Sequence, residues 1–428
     1  GAATLELEAA GTAAAAGPTA GESQPDPDDA FTLSEEEEDS EEGKDPTENP
    51  TDNPTATPAE NPTDDPAANP TDDPTANPKK DVVFQLDPAD PEPEQQATKL
   101  TLSTSPAPTA ETREAALDDA PAAAPTATTP AAGAVGSAGN PTTNVINVVN
   151  NWAKELKIRL SNVNIKVGDS VDKAAMDVSG DGTTKIELDG QNALDSSATS
   201  YQAGLRKQGE GTLTITDETD DRGNKITAPK SGDSGSLTAK GGGSNDAADI
   251  GKAIGAAGIG GKIGESTKNI IIEGYATVDA AGGGRGAGIG GGGGTADQGS
   301  GSVSGDAENI IIQGHSKVTA TAQNGAAIGG GSTLWSKNGC YVGGSAKGIV
   351  IRDHATVVAK GSGIDGFTGY GAAIGAAGGS GNNTEAEVTI GTPGATAEQE
   401  DVHVTATGLY GSAIGNGAKD TKVTIQGH

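Results

Sequence analysis

From Asn269 onward, short β-branched runs alternate with glycine-rich stretches at a fixed period. The unit NIIIEGYATVDAAGGGRGAGIGGGGG starts at Asn269 and returns as NIIIQGHSKVTATAQNGAAIGGG from Asn309, 40 residues later. A looser copy starts at Gly348, 39 residues further on, a fourth at Glu387 and a fifth at Lys422. Self-similarity at such a period is the signature of a repeat architecture. Within a unit, Ile270-Ile271-Ile272 is short and β-branched, and Thr277–Ala280 alternates as a half-buried strand does. The glycine-rich piece carries one large apolar residue: Ile289, Ile328, Ile374 and Ile414, with Ile254 as the earlier member. No helical stripe can be drawn through it, because Gly is a poor helix former. A coil that brings these positions back once per turn stacks them into ladders around an apolar centre, with Gly and Ala permitting tight corners. The expected fold is all-β, a right-handed parallel β-helix (β-solenoid) whose regular repeats span 241–428.

Upstream the pattern degrades. Residues 143–240 read as an N-terminal cap and degenerate first rungs, with short strands such as Ile186-Glu187-Leu188 and Leu213-Thr214-Ile215 between Gly/Asp turns. Val145, Val148, Val149, Trp152 and Leu156 fall on one helical face, so a capping helix with Trp152 as its plug is expected there. Residues 79–142 read as a low-complexity linker, in which Asp81–Leu86 is an isolated apolar island. Residues 46–78 are a strict tetrad with Pro at every fourth position, which forbids helix and removes ladder donors. These 33 residues make a stiff extended stalk, reaching about 100 Å at ~3.1 Å per residue. Residues 1–45, with Glu35–Asp39, form a self-repelling acidic segment expected to be disordered.

Charge sharpens this division. Of the net −32, residues 1–142 hold 30 acidic and 5 basic side chains, a net of −25; the rest is only −7. This acidity disfavours nucleic acid and anionic membrane surfaces as partners. The chain holds no apolar run of 18 residues, so no insertion into a membrane is expected within it. A single cysteine, Cys340, excludes an intramolecular disulfide and fits a secreted or surface protein stabilised by ladders. The missing initial Met and the stop inside a repeat are expected of a trimmed segment of a longer protein.

The succession SGDGTTKIELDGQNAL, GEGTLTI, GSLTAKGGG, AIGAAGIGG, NIIIEGYATVDAAGG, GAGIGGG resembles the Gly-rich β-helix surface proteins of Gram-positive gut bacteria, of the carbohydrate-binding-domain or adhesin type. The likeness covers about residues 158–428 and departs from the family in the insertion WSKNGCY. It implies a secreted or cell-wall location and a polysaccharide, host or cell-wall glycan as partner.

Candidate ligand-binding residues come from two places. Tyr275, His315 and His354 each lie six residues after the start of their unit, and His428 follows KVTIQG likewise; Pro393 interrupts the series. Rings one rung apart make a column with polar tips, whose plain alternative is corner packing. Trp335 and Tyr341 lie in the insertion, and insertions map to loops on one face.

Other chemistry is weaker. The acidic run Asp217–Gly223 has Arg222 and Ala228 where an EF-hand needs Gly and Glu, so a solvated loop is expected, with no Ca²⁺ site and no other cofactor. No paired carboxylates recur on the strands, Asp279 being isolated and Asp365 in a loop, so no enzyme is expected. Thr319-Ala-Thr321 and Thr405-Ala-Thr407 have an ice-binding look without register across every rung. The expectation is a noncatalytic adhesin or glycan-binding β-helix on a stalk. A structural wall spacer is the alternative, and a polysaccharide-degrading enzyme a third.

Overall fold

The computed structural model describes residues 4–9, 82–86, 99–103, 136–137, 139–169, 171–219, 224–228, 235–243, 254–294, 303–333, 343–363, 371–377, 384–396, 400–415 and 420–426. They all belong to one compact unit, Gly1–Gly11 with Lys79–His428. The proline tetrad and most of the acidic segment lie outside the described residues.

The described residues form three parallel sheets and no helix, wound as a three-sided solenoid. Side one holds, in spatial order, Asn164–Lys166, Gln191–Asp195, Ser236–Lys240, Thr277–Ala281, Lys317–Ala322, Thr356–Gly361, His403–Gly408 and Thr4–Ala9. Side two holds Val82–Leu86, Ile146–Asn150, Met176–Ser179, Leu205–Lys207 and then the two-residue strands at Ile259, Ile289, Ile328, Ile374 and Ile414. Side three holds Lys99–Ser103, Leu156–Ser161, Thr184–Asp189, Leu213–Asp217, Thr267–Gly274, Ala307–Ile312, Ala346–Ile351, Ala386–Ile390 and Thr421–Ile425. Each turn of the coil visits side three, then one, then two.

Period-2 alternation aims one set of side chains inward on every strand. On side three, Ile158, Ile186, Ile215, Ile272, Ile312, Ile351 and Ile390 stand in one register column, each 2% exposed or less. On side two, Met176 and Leu205 lead into Ile259, Ile289, Ile328, Ile374 and Ile414. Each buried side chain of this size contributes about 1.5–3 kcal/mol. The small column Ala239, Ala280, Ala320, Ala359 and Ala406 lines side one.

Three sequence expectations need correction. The early member of the glycine-flanked isoleucine column is Ile259, not Ile254. The segment expected as a capping helix is strand: Ile146–Asn150 pairs in parallel with Met176–Ser179, and its inward residues alternate at Ile146, Val148 and Asn150. Ladder pairing with the next rung outweighs the helical spacing there. Trp152 is buried all the same, its N–H donating to Asn150 Oδ1 at 3.0 Å. Lastly, the acidic segment contributes a strand. Thr4–Ala9, TLELEA, pairs with His403–Gly408 and sets Leu5 and Leu7 in register with Val404 and Ala406. The apolar island supplies Val82–Leu86, which pairs with Ile146–Asn150.

One inward position is cationic. Lys207 is 2% exposed and in register with Val178, and its Nζ donates to the carbonyls of Gln208 (2.8 Å) and Gly209 (3.0 Å). Burial lowers its pKa to about 8; Glu210 opposes this and Lys268 adds to it. An unfolded Lys titrates near 10.4, so between about pH 8 and 10.4 the unfolded chain holds more protons. Stability contributed by this residue therefore rises with pH through that window, by up to about 3 kcal/mol. The melting temperature of the protein relative to a Lys207→Met variant is expected to climb from pH 7.5 to pH 10. A constant difference over that range would refute the assignment.

Candidate functional site

The corner between sides three and one is a two-residue turn repeated on successive rungs. Gly274, Gly314 and Asp353 occupy its left-handed position, with φ of 67°, 68° and 64°. Asp353 is tolerated there because a short polar side chain can bond locally: its Oδ2 accepts Gly314 N–H at 3.2 Å. The next residue in each turn carries a ring. Backbone bonds set the rungs in line: Tyr275 N–H donates to Asp217 O (2.9 Å), His315 N–H to Gly274 O (2.8 Å) and His354 N–H to Gly314 O (2.9 Å). Tyr275 and His315 stack at 5.0 Å between centroids and 4° between planes, and His315 and His354 at 4.6 Å and 5°. Burial, then the neighbouring His354, lower the His315 pKa against the pull of Asp353. The three sequence-nominated rings thus form one column, with His315 exposed and the other two half-buried.

Two further columns run beside it on the outer face of side three. Glu273, Gln313 and Arg352 make a hydrogen-bonded ladder. Gln313 Nε2 donates to Glu273 Oε2 at 2.8 Å, and Arg352 Nε and Nη2 donate to Gln313 Oε1 at 2.9 and 2.6 Å. Two residues earlier on each strand, Ile271, Ile311 and Val350 form a half-buried aliphatic row. Beyond them, Asn269 and Asn309 bulge at φ of 58° and 53°, linked by Asn309 Nδ2 donating to Asn269 Oδ1 at 3.1 Å. The aliphatic row and the polar ladder escaped sequence reading. Their signal was present, because they are the third and fifth positions of each unit and appear only when the units are compared position by position.

A hairpin from the preceding rung bounds these columns at one end. Its described part runs through Glu218-Thr219 and Asn224–Ala228, joined by a Thr219–Lys225 bridge and an Ile226 N–H to Glu218 O bond of 2.8 Å. Its base is tied down. Glu187 Oε1 accepts Glu218 N–H (3.0 Å), Thr219 N–H (2.7 Å) and the Thr219 hydroxyl (2.7 Å). Asp217 is fully buried and its Oδ2 accepts Gly235 N–H at 2.7 Å, so the acidic run does not begin as the solvated loop expected from its charge. Lys185 Nζ spans Glu218 (2.9 Å) and Glu273 (3.2 Å). Burial opposes its charge, but Glu218 and then Glu273 outweigh that and raise its pKa.

Between hairpin and corner lies an open groove of about 420 Å³, lined by Glu218, Lys225, Ile226, Glu273, Gln313, His315 and Asp353, among others. A second groove of about 260 Å³, beside Lys157, Lys185 and Glu187, shares Glu218 with it. Trp335, Tyr341, Cys340, Asp365 and His428 lie outside the described residues. Asp279 is exposed on side one, away from this corner. The threonine pairs Thr319/Thr321 and Thr405/Thr407 share columns on that side, interrupted by Val358 and Lys360. Among the described residues no group of three or more His, Cys, Asp or Glu side chains is placed to hold a metal ion.

Comparisons with protein-family models, with curated proteins and with solved structures return no match for this chain.

Proposed function

We propose that this chain is a noncatalytic glycan-binding module, a right-handed parallel β-helix of adhesin type carried at a bacterial surface or secreted on an acidic, proline-rich stalk. Right-handed winding follows from the chirality rule for parallel crossovers. One observation supports the binding role most directly. The aliphatic row, the polar ladder and the ring column begin and end on the same three rungs. The preceding rung has Thr214, Thr216 and Glu218 at these positions, and the following one Thr389, Gly391 and Pro393. A solenoid needs inward columns to fold, but folding does not require three outward columns to coincide. Aliphatic, hydrogen-bonding and aromatic groups side by side suit sugars, which offer C–H faces and hydroxyl edges.

The test is a glycan array with the full chain, with and without Ca²⁺. Reproducible binding to one polysaccharide class is expected. Gln313→Ala and His315→Ala should each weaken it about tenfold, as loss of a charge-assisted bond or a ring contact does, with unchanged melting temperature. A blank array would leave the wall-spacer reading as the better account, and release of reducing or unsaturated sugar ends would favour an enzyme.

A further inference from the structure

The three columns run along the solenoid axis, so a ligand lying along that axis meets the same set of groups at every rung. A ligand lying along a strand meets an aliphatic residue, then a polar one, then a ring, once only. The rings repeat at 5.0 and 4.6 Å, close to the 4.7–4.9 Å between paired strands. The chain that fits advances one residue per rung and offers the same face each time. An equatorially linked hexopyranose ribbon has this form, with flat apolar faces and hydroxyls along both edges. Its faces lie over Ile271, Ile311 and Val350, and one edge meets the Glu273–Gln313–Arg352 ladder.

Charge narrows the class. The groove is lined by three carboxylates, Glu218, Glu273 and Asp353, against one lysine, Lys225. Arg352 is turned onto Gln313, and Lys185 onto Glu218 and Glu273. An acidic polymer would be repelled. Length is limited as well, because the hairpin at Glu218–Thr227 stands at one end and Gly391 and Pro393 end the columns at the other.

We infer that this face binds a neutral, equatorially linked polysaccharide along the solenoid axis, one sugar per rung over three rungs. This rests on the glycan-binding reading above and specifies its ligand.

The experiment is titration calorimetry of the full chain with neutral β-1,4-linked glucose oligomers of two to six residues. Competitors are α-1,4-linked glucose oligomers and α-1,4-linked galacturonate oligomers. Affinity is expected to rise about tenfold from two residues to three and to change less than about twofold beyond four. Neither competitor should displace the bound oligomer. Ile271→Ser and Val350→Ser, outward substitutions one rung either side of Ile311, should each weaken trimer binding about fivefold. If only one of them matters, or if affinity is independent of length, the axial orientation is wrong. If the α-linked or acidic oligomers bind as well, the proposed class is wrong while sugar recognition stands. If the array also shows no sugar of any kind bound, both readings fall together. The oligomer series needs no variant, so misfolding of a variant cannot decide the outcome.

Discussion

Replacing Gly329 by alanine is expected to destabilise the solenoid by roughly 3 kcal/mol or more, as much as removing a core isoleucine. Gly329 sits directly after Ile328 in a column with Gly260, Gly290, Gly375 and Gly415, all at φ between 102° and 140°. This conformation is essentially closed to residues with a Cβ. Space adds to the strain, because a Cβ on Gly329 would stand 1.8 Å from the carbonyl oxygen of Gly375 on the next rung. Neither group is a flexible side chain, so the rungs themselves would have to separate. Ile328→Ala, which only leaves a cavity, should cost about 2–5 kcal/mol. Gly394→Ala separates the two causes: φ there is 71°, but nothing lies within 4 Å of the added methyl. It should lose only about 1–2 kcal/mol, the ordinary cost of a left-handed alanine. Solenoids unfold by rungs and are not two-state in general. The ranking is therefore best read from guanidinium midpoints together with amide exchange on rungs 328–329 and 374–375. A Gly329→Ala protein as resistant as the wild type would remove the glycine column from the account of the fold.

That column shows what the sequence made legible. Ile289, Ile328, Ile374 and Ile414 could be aligned because each is the lone large apolar residue in a glycine-rich piece. The first member could not, because AIGAAGIGG contains two isoleucines and only the register with Leu205 selects Ile259. The stretch from Val145 to Leu156 satisfies helical and strand spacing at once, and the rung at Met176 decides it, which no local pattern reports. Tyr275, His315 and His354 were visible as a series because rings are so rare in this chain. Their companions were not, since isoleucine and glutamine are ordinary residues whose meaning lies in being stacked. Asp217 misled for a related reason. A run of acids reads as solvated, yet the backbone N–H of Gly235 gives its carboxylate a buried partner 18 residues away.

Arg159→Met should be the most damaging polar substitution, costing about 3–5 kcal/mol, because it strips one partner from a buried ion pair. The Arg159 and Asp189 side chains are only 6% and 12% exposed, and Nη1 donates to the Asp189 carboxylate. The arginine's other arm donates to the Thr219 hydroxyl, which also donates to Glu187 Oε1. Methionine fills much of the same volume, so the loss should come from the charge left behind in Asp189. Arg159→Met/Asp189→Asn should accordingly recover a large part of it, and a double-mutant cycle on the denaturation midpoints measures the coupling. If the double variant is as unstable as the sum of the singles, the pair is not what holds this corner. The same arginine links stability to the site, since Thr219 is the residue after Glu218, the end wall of the groove. In the recovered double variant, oligosaccharide affinity should still fall a few-fold, because the hairpin has lost its anchor while Gln313 and the rings are untouched. Unchanged affinity in that protein would mean that the hairpin is held by the Glu187 bonds alone and that Glu218 needs no help from Arg159 to reach its place.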